Sequence, residues 1–511
     1  MPEQINNNLV AHFVANIDQP EKPCIYTRQN EVISYGGLFS TASKYANALV
    51  SLGVRPGDRI AVQIEKSPDA LCLYLGCLMC GGVYLPLNNA YTPAEISYFL
   101  GDAEPHIFIS DPKDEALLAD VCIKASVAHQ LTLDQKGKGS LANIANEQTG
   151  ELDIIHRKSS DLAAILYTSG TTGRSKGAML THGNLLSNTQ ALLDIWKITA
   201  DDILLHALPV FHTHGLFVAT STSLLSGGAM VFLPKFDADE MIRQLPRCTT
   251  LMGVPTFYSR LLSKPEFNRG LVSNMRLFIS GSAPLSADTH NEFSKRTGHA
   301  ILERYGMTET NMNTSNPYDG ERRAGTVGFP LPGVELKITN PETGKELPKG
   351  ETGIIEVRGP NVFAGYWRNT EKTAEELRED GFFITGDMAR IDEAGYISIV
   401  GRSKDLIISG GLNIYPAEVE TVLDAMPDIA ESAIIGVPDP DFGESVVAII
   451  ARREGKNISE AEVILEARQL LAKFKVPKRV IFVDALPRNT MGKIQKNQMR
   501  EEYNDLFQQT G

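Results

Sequence analysis

Residues 161–177 read DLAAILYTSGTTGRSKG, an apolar run that passes directly into a loop of glycines, hydroxyls and cations. The run Asp161–Tyr167 is continuously apolar rather than alternating, the pattern of a strand buried on both faces. In the loop Thr168–Gly177, glycines let the backbone approach a ligand closely, and hydroxyls with Arg174 and Lys176 offer hydrogen bonds and charge. A polyphosphate requires that combination. The loop is not a Walker A loop, because no GK[ST] closes it at the right spacing. A solvated polar turn would use the same residues, so the loop alone indicates a nucleotide and no particular chemistry.

On both sides of it, short apolar runs alternate with helical stretches. Arg59–Ile64 (RIAVQI), Ala103–Ser110 with Ile107–Ile109 at its centre, and Arg276–Ser280 (RLFIS) read as strands, and Pro68–Cys80 as a buried helix. That alternation predicts α/β layers. After about Gly325 short strands divided by turn signals (Val334–Ile338, Gly353–Arg358, Tyr396–Val400) predict a small β unit. Beyond Gly401-Arg-Ser-Lys-Asp405 a helix over Pro416–Met426, strands at Ala433–Val437, Val446–Ala451 and Val480–Val483, and a capping box Ser459–Glu462 predict a compact α+β module. The expected fold is therefore an α/β multi-subdomain chain. A large N-terminal domain, 1–404, precedes a smaller, mobile α+β C-terminal lid, 405–511.

A chain of 511 residues exceeds one ordinary core. Its formal net charge of −13 argues against a nucleic-acid partner, which needs a basic face, though not against a nucleotide held by locally concentrated cations. Cys77-Leu-Met-Cys80 has metal or redox spacing but lies within the apolar run Leu71–Val83, which reads as core. Scattered thiols, an N-terminus without a basic or apolar targeting pattern, and apolar runs too short to span a bilayer lead us to expect a cytoplasmic protein without a membrane partner.

Further motifs follow in order. They are Glu303-Arg-Tyr-Gly-Met-Thr-Glu-Thr310, Tyr366–Trp367 ahead of Thr385-Gly-Asp387, Gly401–Asp405, and Pro487-Arg-Asn-Thr-Met-Gly-Lys493. Each alone has a plain structural reading as a turn, a linker or a basic tail. With Thr168–Gly177, and in this order, they resemble the signature set of the adenylate-forming superfamily of acyl-CoA synthetases, luciferases and peptide-synthetase adenylation domains, over essentially the whole chain.

The resemblance implies a role for each position. Thr168, Ser169, Gly170, Thr171, Thr172, Gly173 and Lys176 would grip the ATP phosphates. Gly281, Ser282 and Ala283 would form the adenine-side turn, and Tyr305 would stack on the base. Thr308 would bind the α-phosphate, Glu309 would hold Mg²⁺, and Asp387 with Arg402 would take the ribose hydroxyls. Lys493 would come from the lid to the carboxylate and α-phosphate, making it catalytic together with Thr308 and Glu309. The lid would turn about Asp405 and present Gly410 and Gly411 to the pantetheine arm of CoA. ATP and CoA are then co-substrates, and acylation of Lys493 by a lysine acyltransferase would remove its charge.

Around these motifs His206–Phe217, Met252–Tyr258, Arg276–Pro284 and Met307–Asn316 should line the acid pocket, and the histidines, threonines and asparagines among them predict a short polar acid rather than an alkyl chain. Arg276 could form a bidentate pair with a second carboxylate, or merely start a strand. His212, Thr256 and Met307 complete the expected acid site. The stretches VFHTHGLF, RLFISGSAPL, ERYGMTETNMNTSNPYDG and LPRNTMGK are similar to malonyl-CoA synthetases, which implies malonate, and also methylmalonate, as substrate. The alternatives are a medium-chain or aryl-acid CoA ligase, an adenylation protein loading a carrier, and a non-catalytic nucleotide sensor.

Overall fold

The computed structural model describes residues 6–168, 175–409, 412–439, 442–471, 473–489 and 492–507. The expected phosphate-loop residues Ser169, Gly170, Thr171, Thr172 and Gly173, and the expected CoA-channel residues Gly410 and Gly411, lie outside them.

Among the described residues, six strands form one sheet in the order His129–Thr132, Ile107–Ser110, Arg59–Gln63, Val83–Pro86, Leu162–Thr168 and Lys176–Thr181. All run parallel except the last, which returns antiparallel beside Leu162–Thr168. Nine strands form a second sheet. Its centre is parallel, in the order Ala229–Phe232, Ile203–His206, Thr250–Gly253, Leu277–Ser280 and Leu302–Met307. These strands are short and almost wholly buried, as continuous apolar runs require when helices cover both faces.

The helix Pro68–Met79 shows how local signals fix the elements. Ser67 caps it by accepting the Ala70 N–H at 3.0 Å, and Pro68 occupies the first turn. Gly76 lets it approach the helix Tyr35–Ser51 so closely that a Cβ would lie 2.6 Å from the Ala42 carbonyl oxygen. Cys77 and Cys80 belong to this buried face, and all six cysteines are free and buried. The expected strand at Ala103 starts later, at Ile107. A capping box of Thr92 and Glu95 launches a helix over Pro93–Ala103, and Glu104 ends it in the left-handed region at φ 46°.

Four antiparallel strands, Glu335–Thr339, Gly353–Arg358, Phe383–Ile391 and Ile397–Arg402, make the small β unit. Asp387 and Arg402 are directly opposed across its last pair. The smaller C-terminal domain has its own sheet, built on the long antiparallel pair Ile429–Asp439 and Gly443–Arg452. Ile407–Ser409, Leu412–Ile414 and Arg479–Val483 join it. Apolar residues on its two faces form separate clusters, one under the helices Pro416–Asp424 and Glu460–Leu470, the other under Lys496–Glu502.

Candidate active site

In open parallel sheets ligands sit beyond the carboxyl ends of the strands. Here both parallel sheets deliver functional side chains at that end. Leu162–Thr168 ends on Thr168, Ile203–His206 leads to His212 and His214, Thr250–Gly253 to Thr256, Leu277–Ser280 to Gly281 and Ser282, and Leu302–Met307 to Thr308 and Glu309.

On the expected nucleoside side the Tyr305 hydroxyl donates to Asp387 Oδ2 at 2.6 Å, and Arg402 Nε to Asp387 Oδ1 at 2.6 Å. A tyrosine ring and a charged carboxylate are thus fixed together, one able to cover a base and the other to accept hydroxyl protons. Ser282 holds the left-handed region at φ 70°, a strain that non-glycine residues keep only where the surroundings impose it, and its Oγ lies 3.2 Å from His214 Nδ1. Ala283 continues this turn.

On the phosphate side Glu309 is buried, and its Oε1 lies 3.3 Å from the Thr168 hydroxyl and 3.1 Å from that of Tyr366. Tyr366 also reaches Glu376 Oε2 at 2.6 Å. Lys176 and Lys372 neutralise Glu376 at 3.4 and 3.0 Å, and the Lys176 ammonium stands 4.2 Å over the Tyr366 ring. No described cation forms an ion pair with Glu309, and burial raises its pKa. Its own backbone N–H, the Tyr366 hydroxyl and the charges of Arg402 and Lys176 oppose that rise. Tyr366 stands in a sequence motif that implies no role for it, and Glu376 carries no local signal.

Lys493 reaches the same centre from the C-terminal domain. Its backbone N–H donates to Asn489 Oδ1 at 2.9 Å, and Gly492 in this turn, at φ 75°, lies beside Thr256. Surrounding protein, and then Arg402, lower the Lys493 pKa, whereas Asp387 and Glu309 oppose them. Burial, and then Lys493, push His212 down to about 4, so its imidazole is neutral at neutral pH. His212 and Thr308 line one small cleft with Pro86, Tyr91, Tyr167 and Phe211. Asp405, the expected hinge, accepts Arg500 Nη2 at 2.7 Å from the last helix.

Arg276 is a correction. It precedes its strand and so lies at the amino end of the sheet, away from the site by the strand's length, roughly 13 Å for four residues. There it binds Asp202 through Nε at 2.8 Å and Nη2 at 2.5 Å, and the carbonyls of Trp196 and Lys197. Its donors are committed to structure, and it cannot meet an acid at the opposite edge.

The cation at the site edge is Arg304, within Leu302–Met307. It is buried, and its Nε and Nη2 have no hydrogen-bond partner among the described residues. Burial pulls its pKa down to about 9, and it in turn helps to keep His214 neutral. Its guanidinium lies against Gly281, where a Cβ would be 2.4 Å from the central carbon. The available signal was a charged residue inside an otherwise buried strand.

The AMP-binding enzyme family matches residues 14–367, and the C-terminal domain of AMP-binding enzymes matches residues 418–493. This chain belongs to the AMP-binding enzyme family. Among solved structures, ATP-bound MatB from Rhodopseudomonas palustris is similar at 56% identity and a TM-score of 0.97, covering 98% of this chain and 100% of that one. Malonate–CoA ligase of Arabidopsis thaliana is 34% identical, over 92% of this chain and 84% of its own length. Feruloyl-CoA synthase of an Amycolatopsis species is 36% identical, over 92% and 94%. This family member is an AMP-forming acyl-CoA ligase with ATP, CoA and an acid as its small-molecule substrates. Identities of 34% and 36% to ligases of different acids do not select the acid. No described helix is long and apolar enough to cross a membrane.

Proposed function

We propose that this chain joins malonate to CoA through a malonyl-adenylate, releasing AMP and pyrophosphate, and also accepts methylmalonate. The observation that carries the reading is Arg304. A buried guanidinium with open donors is costly, by several kcal/mol, unless an anion completes it. The surrounding histidines are neutral and supply no charge. A second carboxylate on the acid would fill both donors as a planar pair, while its first carboxylate is left for the phosphate side. An alkyl or aryl acid would bury the cation unpaired. The similarity to MatB supports the same reading.

In adenylation a carboxylate oxygen attacks the α-phosphorus and pyrophosphate leaves. Lys493 would neutralise the charge that develops there, with Thr308 binding the α-phosphate. Tyr305, Asp387 and Arg402 would hold the nucleoside, with Gly281, Ser282 and Ala283 beside the base. Thr168 and Lys176 would hold phosphates. His212, Thr256 and Met307 would border the acid. The donor set fits the Mg²⁺ that the family implies. Glu309 is a buried carboxyl group with no ion pair to a described cation, and has the Thr168 hydroxyl beside it. One protein carboxylate plus substrate phosphates is the usual magnesium arrangement, and no cluster of three such ligands exists among the described residues. Bound there, Mg²⁺ supplies charge neutralisation at the phosphates.

After adenylation the C-terminal domain would turn about Asp405, withdraw Lys493 and admit the CoA thiol to the acyl carbonyl, with AMP as leaving group. Placing the boundary at 404/405 belongs to the same proposal. Arg402 is tied to Asp387 on one side, and Asp405 to Arg500 on the other. Six buried free cysteines agree with a reducing, cytoplasmic setting. An acyltransferase acting on Lys493 finds no support in the fold or the relatives.

The test is pyrophosphate release across malonate, methylmalonate, propionate, hexanoate and benzoate, with and without CoA. Malonate should lead by orders of magnitude, and preference for hexanoate or benzoate overturns the assignment.

A further inference from the structure

Lys66 is a buried lysine that no step above uses. It follows the strand Arg59–Gln63 of the first sheet, immediately before Ser67 caps the helix Pro68–Met79, so its backbone is fixed. Its ammonium crosses to the second sheet. There it donates to the carbonyls of His206 and Leu208 at 2.9 Å each, and contacts His206 Nδ1 at 2.9 Å. Three acceptors match the three protons of an ammonium, which has no other way to offset burial. No described carboxylate forms an ion pair with it, and it lies 4.2 Å from the Phe232 ring centroid.

The contact with His206 has a chemical consequence. The Gly215 carbonyl can only accept, so the imidazole proton sits on Nε2; burial keeps the ring neutral, so Nδ1 accepts an N–H of Lys66, whose own pKa burial lowers. Nε2 then donates to the Gly215 carbonyl at 2.9 Å and lies 3.1 Å from Thr220 Oγ1. Gly215 belongs to the π-helical turn His214–Thr220, and a Cβ there would lie 2.0 Å from the Pro209 carbonyl oxygen. Such turns are rare and concentrate at functional sites. The segment from His206 to Gly215 is thus held at its start by Lys66 and at its end, through His206, by the same ammonium. Between the two ends it carries His212 and His214, the imidazoles beside Lys493 and Arg304.

We propose that Lys66 is a positioning residue for the acid: its side-chain nitrogen, through His206, sets the loop that carries His212 and His214, and so governs binding of the acid more than that of ATP. The proposal rests on the reading that this loop borders the acid, whichever acid that is.

The experiment compares wild type with Lys66→Met, Lys66→Gln and His206→Gln, for the best acid found in the panel above. In Lys66→Met the KM for that acid should rise roughly tenfold or more, the scale for losing a group that orients a ligating side chain. The KM for ATP should rise much less, because among the described residues the loop touches the expected nucleotide side through the His214–Ser282 contact alone. Lys66→Met combined with His206→Gln should cost little more than either alone, since both break one chain of contacts. Nitrogen shifts of labelled histidine should show His206 held as the Nε2–H tautomer in wild type, with Nδ1 released in Lys66→Met, which lacks the donor, and less so in Lys66→Gln, which keeps an N–H on a shorter side chain. Equal rises in both KM values, additive effects of the two changes, or an unchanged His206 signal overturn the proposal. A panel in which malonate is not preferred overturns the malonate reading alone, because the Lys66 comparison then runs on the acid that is.

Discussion

Arg304 and Gly281 are in direct contact, so close that a Cβ on residue 281 would meet the guanidinium carbon at 2.4 Å. The glycine at 281 is therefore a condition for the arginine's position. Gly281→Ala should displace the guanidinium and raise the KM for malonate. Arg304→Met should remove most of the preference for malonate over propionate, on the scale of 10²-fold or more for a site built around a polar partner. The kcat/KM values for malonate, propionate and hexanoate in both variants decide it. Full malonate preference in Arg304→Met would leave the second carboxylate without its partner.

Lys493 stands beside Asp387, Glu309 and His212 although it belongs to the other domain. Lys493→Ala should slow adenylation by roughly 10²–10³, the scale for losing a transition-state charge partner. Thioester formation from supplied malonyl-adenylate should survive much better. Pyrophosphate exchange and single-turnover thioesterification measure the halves separately, and equal losses would make the lysine structural.

Arg276→Met should destabilise the fold and leave malonate preference intact, the opposite of what its sequence position suggested. Asp202 is buried and would lose its ion pair, at a cost of about 3 kcal/mol. Burial alone would raise the Asp202 pKa. Hydrogen bonds from Arg276, the Thr199 N–H and the Thr249 hydroxyl, with the charge of Arg276, overcome it and bring the pKa below the ordinary carboxylate value. A depressed pKa contributes stability above the unfolded-state pKa and loses it as pH falls through the folded-state value. Wild type should therefore lose this contribution only below about pH 4, the unfolded carboxylate value. The variant's Tm deficit should be full at neutral pH and shrink in that acid range. A constant deficit would exclude the pair as its source.

Asp405→Pro tests the hinge. Residues Ser403–Asp405 form a 3₁₀ turn, whose φ of about −50 to −70° is close to proline's own. Proline should hold the arrangement that brings Lys493 into the site. Adenylation should persist while thioester formation fails. Unchanged turnover with CoA would move the hinge elsewhere.

The sequence by itself determined whatever depends on neighbours along the chain. Continuous apolar runs such as Leu162–Thr168 became buried parallel strands because their period leaves no polar face to expose. The capping box at Ser459 and Glu462 started its helix where expected, because its hydrogen bonds close within one turn. The motifs also ordered part of the nucleotide side, since Gly281, Ser282 and Thr308 lie just past a strand's carboxyl end. Tertiary structure alone decided which arginine meets the acid. Arg276 and Arg304 both adjoin strands of one sheet, but the first precedes its strand and the second lies within one, so they stand toward opposite ends of the layer. Strand direction within the sheet separates them, and it is set by pairings made far apart in sequence. Lys66 is the extreme case. Its acceptors lie 140 and 142 residues away, so no local pattern could distinguish a buried three-acceptor ammonium from an ordinary lysine before a helix cap.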